Sequence, residues 1–270
     1  MLLDSQQILR FLAAQHDTAQ LSQSLTLEVF PTLDSTNAHV KRLLQSGDTQ
    51  LLYVAIAEQQ TAGKTSKADK AWFSPAGQNI YLSIGLALEN PAKQIPGLSL
   101  VIALSIIASL EKLGIQQQLS AKWPNDVYCD GKKICGILVE LETREAGKTY
   151  AVIGVGINVN METIEETNID KPWTSLQLVS GITYDRNKII ALLLQQLCQD
   201  LALLQQRGLP HFLPRWAAHD FLHQKNVTIQ TVKGSTSGVA VGINHSGQLL
   251  LKTSQNGIVA YHDGEINLVY

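Results

Sequence analysis

The stretch "LSAKWPNDVYCDGKKICGILVELETREAGKTYAVIGVGINVN", residues 119–160, decides the fold. It is rich in β-formers and carries two turn signals, Asp130-Gly131 and Glu145-Ala146-Gly147. Such a run reads as strands joined by hairpins. It also holds polar residues where an apolar strand would not need them. Lys122-Trp123-Pro124-Asn125-Asp126 ends a strand with a lysine, an amide and a carboxylate close together. For any one of these, a solvated strand end is the ordinary explanation; five together, with Trp and Pro restricting the turn, suggest a site. Lys132 and Lys133 follow the turn, and alternation sends one to each face of the strand. Gly136 would let a ligand approach the backbone closely. Gly154, Gly156, Asn158 and Asn160 repeat the pattern, although glycines in strands often mark bulges.

Upstream, residues 5–15 read as an amphipathic helix and "LTLEVFPTL" (25–33) as a strand. The helix "NAHVKRLLQS" (37–46) follows, with Asp34, Ser35 and Thr36 as N-cap candidates and Gly47 as its stop. "LLYVAIAEQQ" and "NIYLSIGLAL" read as strands, and residues 97–114 as a buried helix. After a polar connector at 161–172, residues 186–208 have helical periodicity, followed by a shorter segment to about Leu222. From Asn226 the texture becomes short alternating strands punctuated by Gly, Asn and Ser, which predicts a small barrel or sandwich. The expected division is 1–223 and 224–270, in an α+β chain.

Composition narrows the class. Of 270 residues, 45% are hydrophobic and 16% charged, with a formal net charge of −2. This describes a soluble globular protein with no overall basic surface for nucleic acid. The N-terminal residues lack a signal peptide's basic start and long apolar run, and no window is long enough to span a bilayer. A cytoplasmic protein is expected. The cysteines, Cys129, Cys135 and Cys198, match no zinc spacing and read as buried free thiols.

Gly63-Lys64-Thr65-Ser66 resembles the tail of a P-loop but fails the test. Position 58, where the motif needs its first glycine, is Glu58, and Ser74-Pro75-Ala76-Gly77 soon marks a turn rather than a helix. The polar set as a whole is lysines, amides and glycines, without a nucleophile or metal-ligand cluster. Such a set neutralises anions and positions groups, which suits a nucleotide-using transferase or ligase.

"DSTN", "AEQQTAG", "WFSPAGQNIYLS", "KWPNDVYCDGKKICGILVE", "VIGVGINVN" and the closing "GINHSGQLLLKTSQNGIVAYHDGEINL" occur in the order seen in bacterial biotin–protein ligases of the BirA type. The chain resembles that family from about Leu2 to its end. The resemblance implies a mixed-sheet catalytic domain backed by helices, of the class II aminoacyl-tRNA synthetase and biotin ligase kind, followed by an SH3-like β-barrel. It implies activation of biotin by MgATP to biotinyl-5′-AMP, then transfer to a lysine of the biotin carboxyl carrier protein of acetyl-CoA carboxylase. Mg²⁺ would come with ATP, with no metal ligands from protein side chains.

Carried over by motif, Ser35, Thr36, Asn37, Gln60 and Gly63 would meet biotin. Tyr81 and Gly136 would wall its pocket. Lys133 would meet the biotin carboxylate. Lys122 would lie near the phosphates, Asn125 and Asn158 near the nucleotide, and Trp72 near the adenine; Lys133 and Lys122 are the implied catalytic pair.

Two departures stand out. The family's Gly-Arg-Gly-Arg run is replaced by Gly63-Lys64-Thr65-Ser66-Lys67, with one extra residue before Trp72, so Lys64 and Lys67 would grip phosphate as point charges rather than forks. About 25 residues precede the first strand, too few for the winged helix-turn-helix of repressor members, so no DNA binding is expected. A lipoate or octanoyl ligase shares the catalytic fold, but KWPND and the C-terminal module argue against it. A catalytically degenerate biotin binder is opposed by retention of Lys122 and Lys133. The resemblance is compatible with a monomer or a homodimer.

Overall fold

In the computed structural model, the residues described are 2–14, 25–46, 52–66, 70–89, 91–95, 97–143, 148–162, 172–232 and 234–269. Gln15, Gly47, the Glu145-Ala146-Gly147 turn, Lys67 and most of the 161–172 connector lie outside them.

In chain order the elements begin with α1 (Ser5–Ala13), β1 (Thr26–Phe30), α2 (Thr36–Ser46), β2 (Leu52–Ala57) and β3 (Ile80–Leu88). Then come α3 (Pro91–Gln94), α4 (Leu98–Lys112), β4 (Leu119–Lys122), β5 (Asp126–Cys129), β6 (Lys132–Thr143) and β7 (Thr149–Ile157). Helices α5 (Leu176–Ser180), α6 (Arg186–Arg207) and α7 (Leu213–His219) lead to β8 (Asn226–Thr231), β9 (Gly234–Ile243), β10 (Leu249–Thr253), β11 (Gly257–Tyr261) and β12 (Glu265–Leu268).

Strands β1 to β7 form one sheet in the order β1-β2-β3-β7-β6-β5-β4. Only β1 and β2 pair in parallel, joined through α2; the other pairs are antiparallel. Asp130 and Gly131, both at positive φ (47° and 77°), close the β5–β6 hairpin, as the Asp-Gly pair predicts.

Period-two alternation gives the sheet two unlike faces. Val54, Ile56, Ile80, Leu82, Ile84, Ile153, Val155 and Ile157 point into a core shared with α1, α4 and α6. Helix α4 is apolar nearly all round because it is buried nearly all round. On the other face α2 covers Tyr53, Ala55, Tyr150 and Val152 with Val40 and Leu44. Gly85 lets α2 lie close: a Cβ there would stand 2.9 Å from Val40 Cγ1.

The second sheet runs β11-β10-β9-β8-β12, with β11 and β12 as edges, so the expected barrel is an open five-stranded sheet by its hydrogen bonding. Its inward residues Val227, Ile229, Ala240, Leu249, Leu251 and Ile266 belong to the same apolar cluster as the first sheet. Trp123 Nε1 donates to Gly247 O at 2.9 Å, tying the KWPND turn to this second sheet. Among the described residues no helix is long and apolar enough to cross a membrane.

Candidate functional site

The N-terminus of α2 meets the sheet beside the glycines of β6 and β7, with Asn37 against Gly154. A cleft opens there, lined by Ser35, Thr36 and Asn37, by Gln60, by Lys64 to Ser66 and Trp72, and by Asn125, Asp126, Lys133, Gly136 to Leu138 and Gly154 to Gly156. Its floor is made of glycine. A Cβ at Gly136 would stand 2.7 Å from the Trp72 ring, and one at Gly156 2.6 Å from it. A Cβ at Gly154 would overlap Asn37 Oδ1. Missing side chains on these strands therefore make the room that an indole, an amide and a ligand can use.

Lys133 reaches this floor through a bulge. Val127 pairs with Cys135 but Tyr128 pairs with Lys133, so Ile134 is an extra residue on β6. Strict alternation from Gly136 would put Lys132 on the cleft face; the bulge exchanges the two lysines. Lys133 Nζ lies 3.3 Å from the Cβ position of Gly136, while Lys132 is exposed. Asp126, across the hairpin, holds Lys133 Nζ at 2.6 Å, and the ammonium lies 5.4 Å from the Trp72 ring centroid. The half-buried pair leaves a cation at the cleft with a fixed place and a counter-charge beside it.

Residues 60–66 and 70–74 run back against each other. Trp72 N–H donates to Gly63 O at 2.9 Å, and Gln60 Nε2 donates to Ser74 Oγ at 3.2 Å. Gly63 is required by that closure, since a Cβ would stand 2.7 Å from Trp72 O. Trp72 Nε1 is buried with no acceptor among the described residues. The loop start is braced from behind by the buried pair Arg186–Glu58, 2.7 Å, with Leu3 N–H also donating to Glu58.

At the N-terminus of α2, Ser35 Oγ accepts Ala38 N–H at 3.4 Å, so Ser35 is the cap. Gln60 Oε1 accepts Thr36 N–H at 2.9 Å. Ser83 Oγ lies 2.5 Å from Asn37 Oδ1 and 2.7 Å from Thr36 Oγ1. Asn37 Nδ2 donates to Glu140 Oε2 at 2.9 Å, and Lys41 Nζ meets Glu140 at 3.0 Å and Glu142 at 2.8 Å. Burial works against the charge on Glu140, but the bonds from Asn37 and Lys41 outweigh it and hold its pKa below the ordinary value.

The remaining expected residues lie elsewhere or play supporting parts. Asn125 lines the cleft and is sewn to β6, donating to Ile137 O at 2.7 Å. Asn158 is buried, donates to Thr174 O at 3.0 Å and anchors the returning segment; Asn160 does the same at Tyr184 O. That segment also straps Lys133, whose N–H donates to Pro172 O and whose carbonyl accepts Thr174 N–H. Tyr81 is buried and donates to Pro75 O at 2.9 Å, bracing the loop rather than lining the cleft. Lys122 is not brought to the cleft: its Nζ lies 3.3 Å from Tyr128 Oη and 3.5 Å from Ile266 O, under the second sheet. Asp126, Ser83, Thr65 and Ser66 received no role from the sequence. Ser83 was the findable one, a hydroxyl on the glycine face of an otherwise apolar strand.

Among the described residues no group of three His, Cys, Asp or Glu side chains stands close enough to hold a metal ion. Burial pushes the Cys129 thiol up to about 11 and the Cys198 thiol up to about 12, so neither is a thiolate nucleophile at neutral pH.

Comparison with known proteins fits this geometry. The Biotin/lipoate A/B protein ligase family model matches residues 29–158, which span the cleft from β1 to β7. The bifunctional ligase/repressor BirA of Escherichia coli is 39% identical over 247 residues, covering 90% of this chain and 74% of that protein. A biotin–[acetyl-CoA-carboxylase] ligase of Mycobacterium tuberculosis is 31% identical over 238 residues, covering 86% and 85%. Among solved structures, a biotin protein ligase from Aquifex aeolicus in complex with biotin and ATP superposes with a TM-score of 0.75 at 29% identity, covering 90% of this chain and 98% of that one. On likeness sustained over nine-tenths of its length, this chain belongs to the biotin–protein ligase family.

Proposed function

We propose that the protein activates biotin with MgATP and transfers it to a lysine of an apo biotin carboxyl carrier protein. The single observation that supports this most is the bulge-placed Lys133 on a floor of glycines, paired to Asp126. A narrow cleft with few directed polar groups suits a ligand that is apolar apart from a ureido ring at one end and a carboxylate at the other.

In the first step a biotin carboxylate oxygen forms a bond to the α-phosphorus of ATP. The bond from that phosphorus to the bridging oxygen breaks, and pyrophosphate leaves with the electron pair. Two anions must approach each other, so the chief requirement is neutralising charge at a fixed place. Lys133, oriented by Asp126, supplies it at the carboxylate, and Lys64 with the Ser66 hydroxyl faces the phosphate from the loop, the Thr65 hydroxyl being turned to Lys70 O at 3.0 Å. Ser35, Thr36 and Gln60 orient the ureido end, and Asn125 stands at the nucleotide side. In the second step the carrier lysine, as a neutral amine, attacks the acyl carbon; the acyl–oxygen bond breaks, AMP leaves, and the amine loses a proton. An activated carboxyl has to be kept from water between the steps, and Trp72 over the glycine floor is placed to do so.

With lysine and a hydroxyl in place of arginine forks, the loop holds the adenylate more loosely than in arginine-bearing relatives. Release of free biotinyl-AMP is the consequence to measure. Residues 1–223 serve as the catalytic part, residues 224–270 brace the KWPND turn through Trp123, and the reaction is placed in the cytoplasm. For Lys122, Lys122→Ala separates two roles: a raised KM for ATP at unchanged stability marks a phosphate contact, whereas lost stability at unchanged KM marks a junction residue.

The test is incubation with biotin, MgATP and an apo carrier domain. One biotinyl group per carrier, with AMP formed in step, is expected; no transfer from biotin, or transfer only of another acyl group, would overturn the reading.

A further inference from the structure

The stretch that carries Gln60, Lys64 and Trp72 leaves β2 after Ala57 and rejoins the sheet at Ile80. The β2–β3 ladder has its last pair at Ala57 and Tyr81, so Glu58 and Asn79 stand just beyond it, one at each end of the stretch. Both are buried, at 8% and 0% exposure. A backbone bond between the ends, Gly77 N–H to Glu58 O, is long at 3.3 Å. Arg186 joins them more firmly. Its Nη1 and Nη2 grip the Glu58 carboxylate at 2.7 and 3.2 Å, and Nη1 also donates to Asn79 O at 3.0 Å. We propose that Arg186 is a positioning residue for the bound adenylate: by clasping both ends of this stretch it fixes Gln60, Lys64 and Trp72 around the cleft. The inference deepens the biotin reading above and rests on it.

A planar fork suits the task, because one cation serves a carboxylate and a backbone carbonyl together. The support behind it is fixed. Arg186 is the first residue of α6, a 22-residue helix, and is 2% exposed. Beside it Asn187 accepts Asp4 N–H at 2.9 Å and donates to Leu2 O at 3.2 Å, which ties the N-terminal segment to the same place. Asn79 is held from its other side as well. Its Oδ1 accepts Val159 N–H at 2.9 Å, and Gln78 O accepts Asn160 N–H at 2.9 Å.

The path from the clasp to the cleft is short. Gln60, two residues on from Glu58, donates to Ser74 Oγ and accepts Thr36 N–H. A shift of Glu58 is therefore passed to groups that line the cleft. Arg186 itself does not line it, so its effect falls on how long the ligand is held rather than on a direct contact.

The test compares Arg186→Met with Arg215→Met. Arg215 pairs at 3.0 Å with Asp200, a 2% exposed residue farther along α6, so each change strands a buried carboxylate beside the same helix. Both variants should unfold at lower urea. In the free proteins, amide exchange over residues 59–66 and 70–78 should quicken by roughly tenfold in Arg186→Met and stay unchanged in Arg215→Met. Biotinyl-AMP formed in place should leave Arg186→Met roughly tenfold faster, and Arg215→Met at the wild-type rate. Should Arg186→Met not fold, the double variant Glu58→Met/Arg186→Met removes both charges and returns the urea midpoint toward wild type, yet should still exchange and release fast. Equal changes in Arg186→Met and Arg215→Met would overturn the inference, as would wild-type exchange and release in the folded Arg186 variant. A wild type that forms no biotinyl-AMP would overturn the biotin reading and the adenylate role with it, while exchange in the free proteins reports on the clasp separately.

Discussion

The two faces of the seven-stranded sheet are built by the same strands with opposite residues. In β3 and β7 the core face reads Ile80, Leu82, Ile84, Ile153, Val155 and Ile157, while the opposite face, which carries the cleft and α2, reads Tyr81, Ser83, Gly85, Gly154 and Gly156. One face uses side-chain volume to exclude water. The other has volume removed, so that α2, Trp72 and a ligand reach the backbone. A substitution on the first face should therefore be felt in stability, and one on the second in binding.

The largest expected effect lies behind the core face. Arg186→Leu leaves Glu58 buried without its partner, and removing one side of such a pair costs about 3–5 kcal/mol. Urea unfolding should show that loss; a loss under about 1 kcal/mol would mean the pair is not the brace described. On the cleft face, Lys133→Ala should slow adenylate formation by about 10²–10³-fold while leaving the melting temperature nearly unchanged, as expected for removal of one charge-stabilising donor. Pyrophosphate release at the wild-type rate would remove Lys133 from the chemistry.

Neighbouring residues on β7 give the sharpest contrast. Gly154→Ala sets a Cβ against Asn37 Oδ1 and should weaken biotin roughly tenfold, one lost hydrogen bond's worth. Ile153→Val, facing the core one residue away, should cost about 0.5–1.5 kcal/mol of stability and leave biotin affinity alone. If both changes moved the same observable, the division of labour would be wrong.

The smallest effect is at the rim. The Arg42 guanidinium beside Asp34 holds its carboxyl down to about 2, from an ordinary 3.8. A depressed carboxylate stabilises the fold above its ordinary pKa, and that contribution disappears as pH falls through about 2. Acid-unfolding curves of wild type and Arg42→Ala should differ above pH 3.8 and converge toward pH 2. Asp34 is half exposed, so the gap should be small.

The strand and helix order was legible in the sequence because periodicity and turn chemistry are local. Asp130-Gly131, the apolar α4 and the Ser35 cap all sit where their patterns put them. What alternation could not show was which lysine faces the cleft. The bulge at Ile134 depends on how β5 and β6 meet, and it reversed the parity from Gly136. Lys122, expected near the phosphates, stands away from the cleft for a longer-range reason: its neighbour Ile266 lies 144 residues away, and only folding brings the second sheet over β4. The amides of Asn158 and Asn160 looked ligand-facing by alternation, yet β7 ends at Ile157 and both turn to anchor the returning chain. Residue types named the chemistry of the cleft; long-range packing chose which copies of each type stand in it.

The central claim is that the glycine-floored face binds biotin and that Lys133 activates it there. Its most direct test is ATP–pyrophosphate exchange with biotin, lipoate or octanoate as the acid, in wild type and in Lys133→Ala. The account predicts exchange that requires biotin, is not supported by the other two acids, and collapses in the variant. No exchange with biotin, faster exchange with lipoate or octanoate, or full exchange in Lys133→Ala would contradict it.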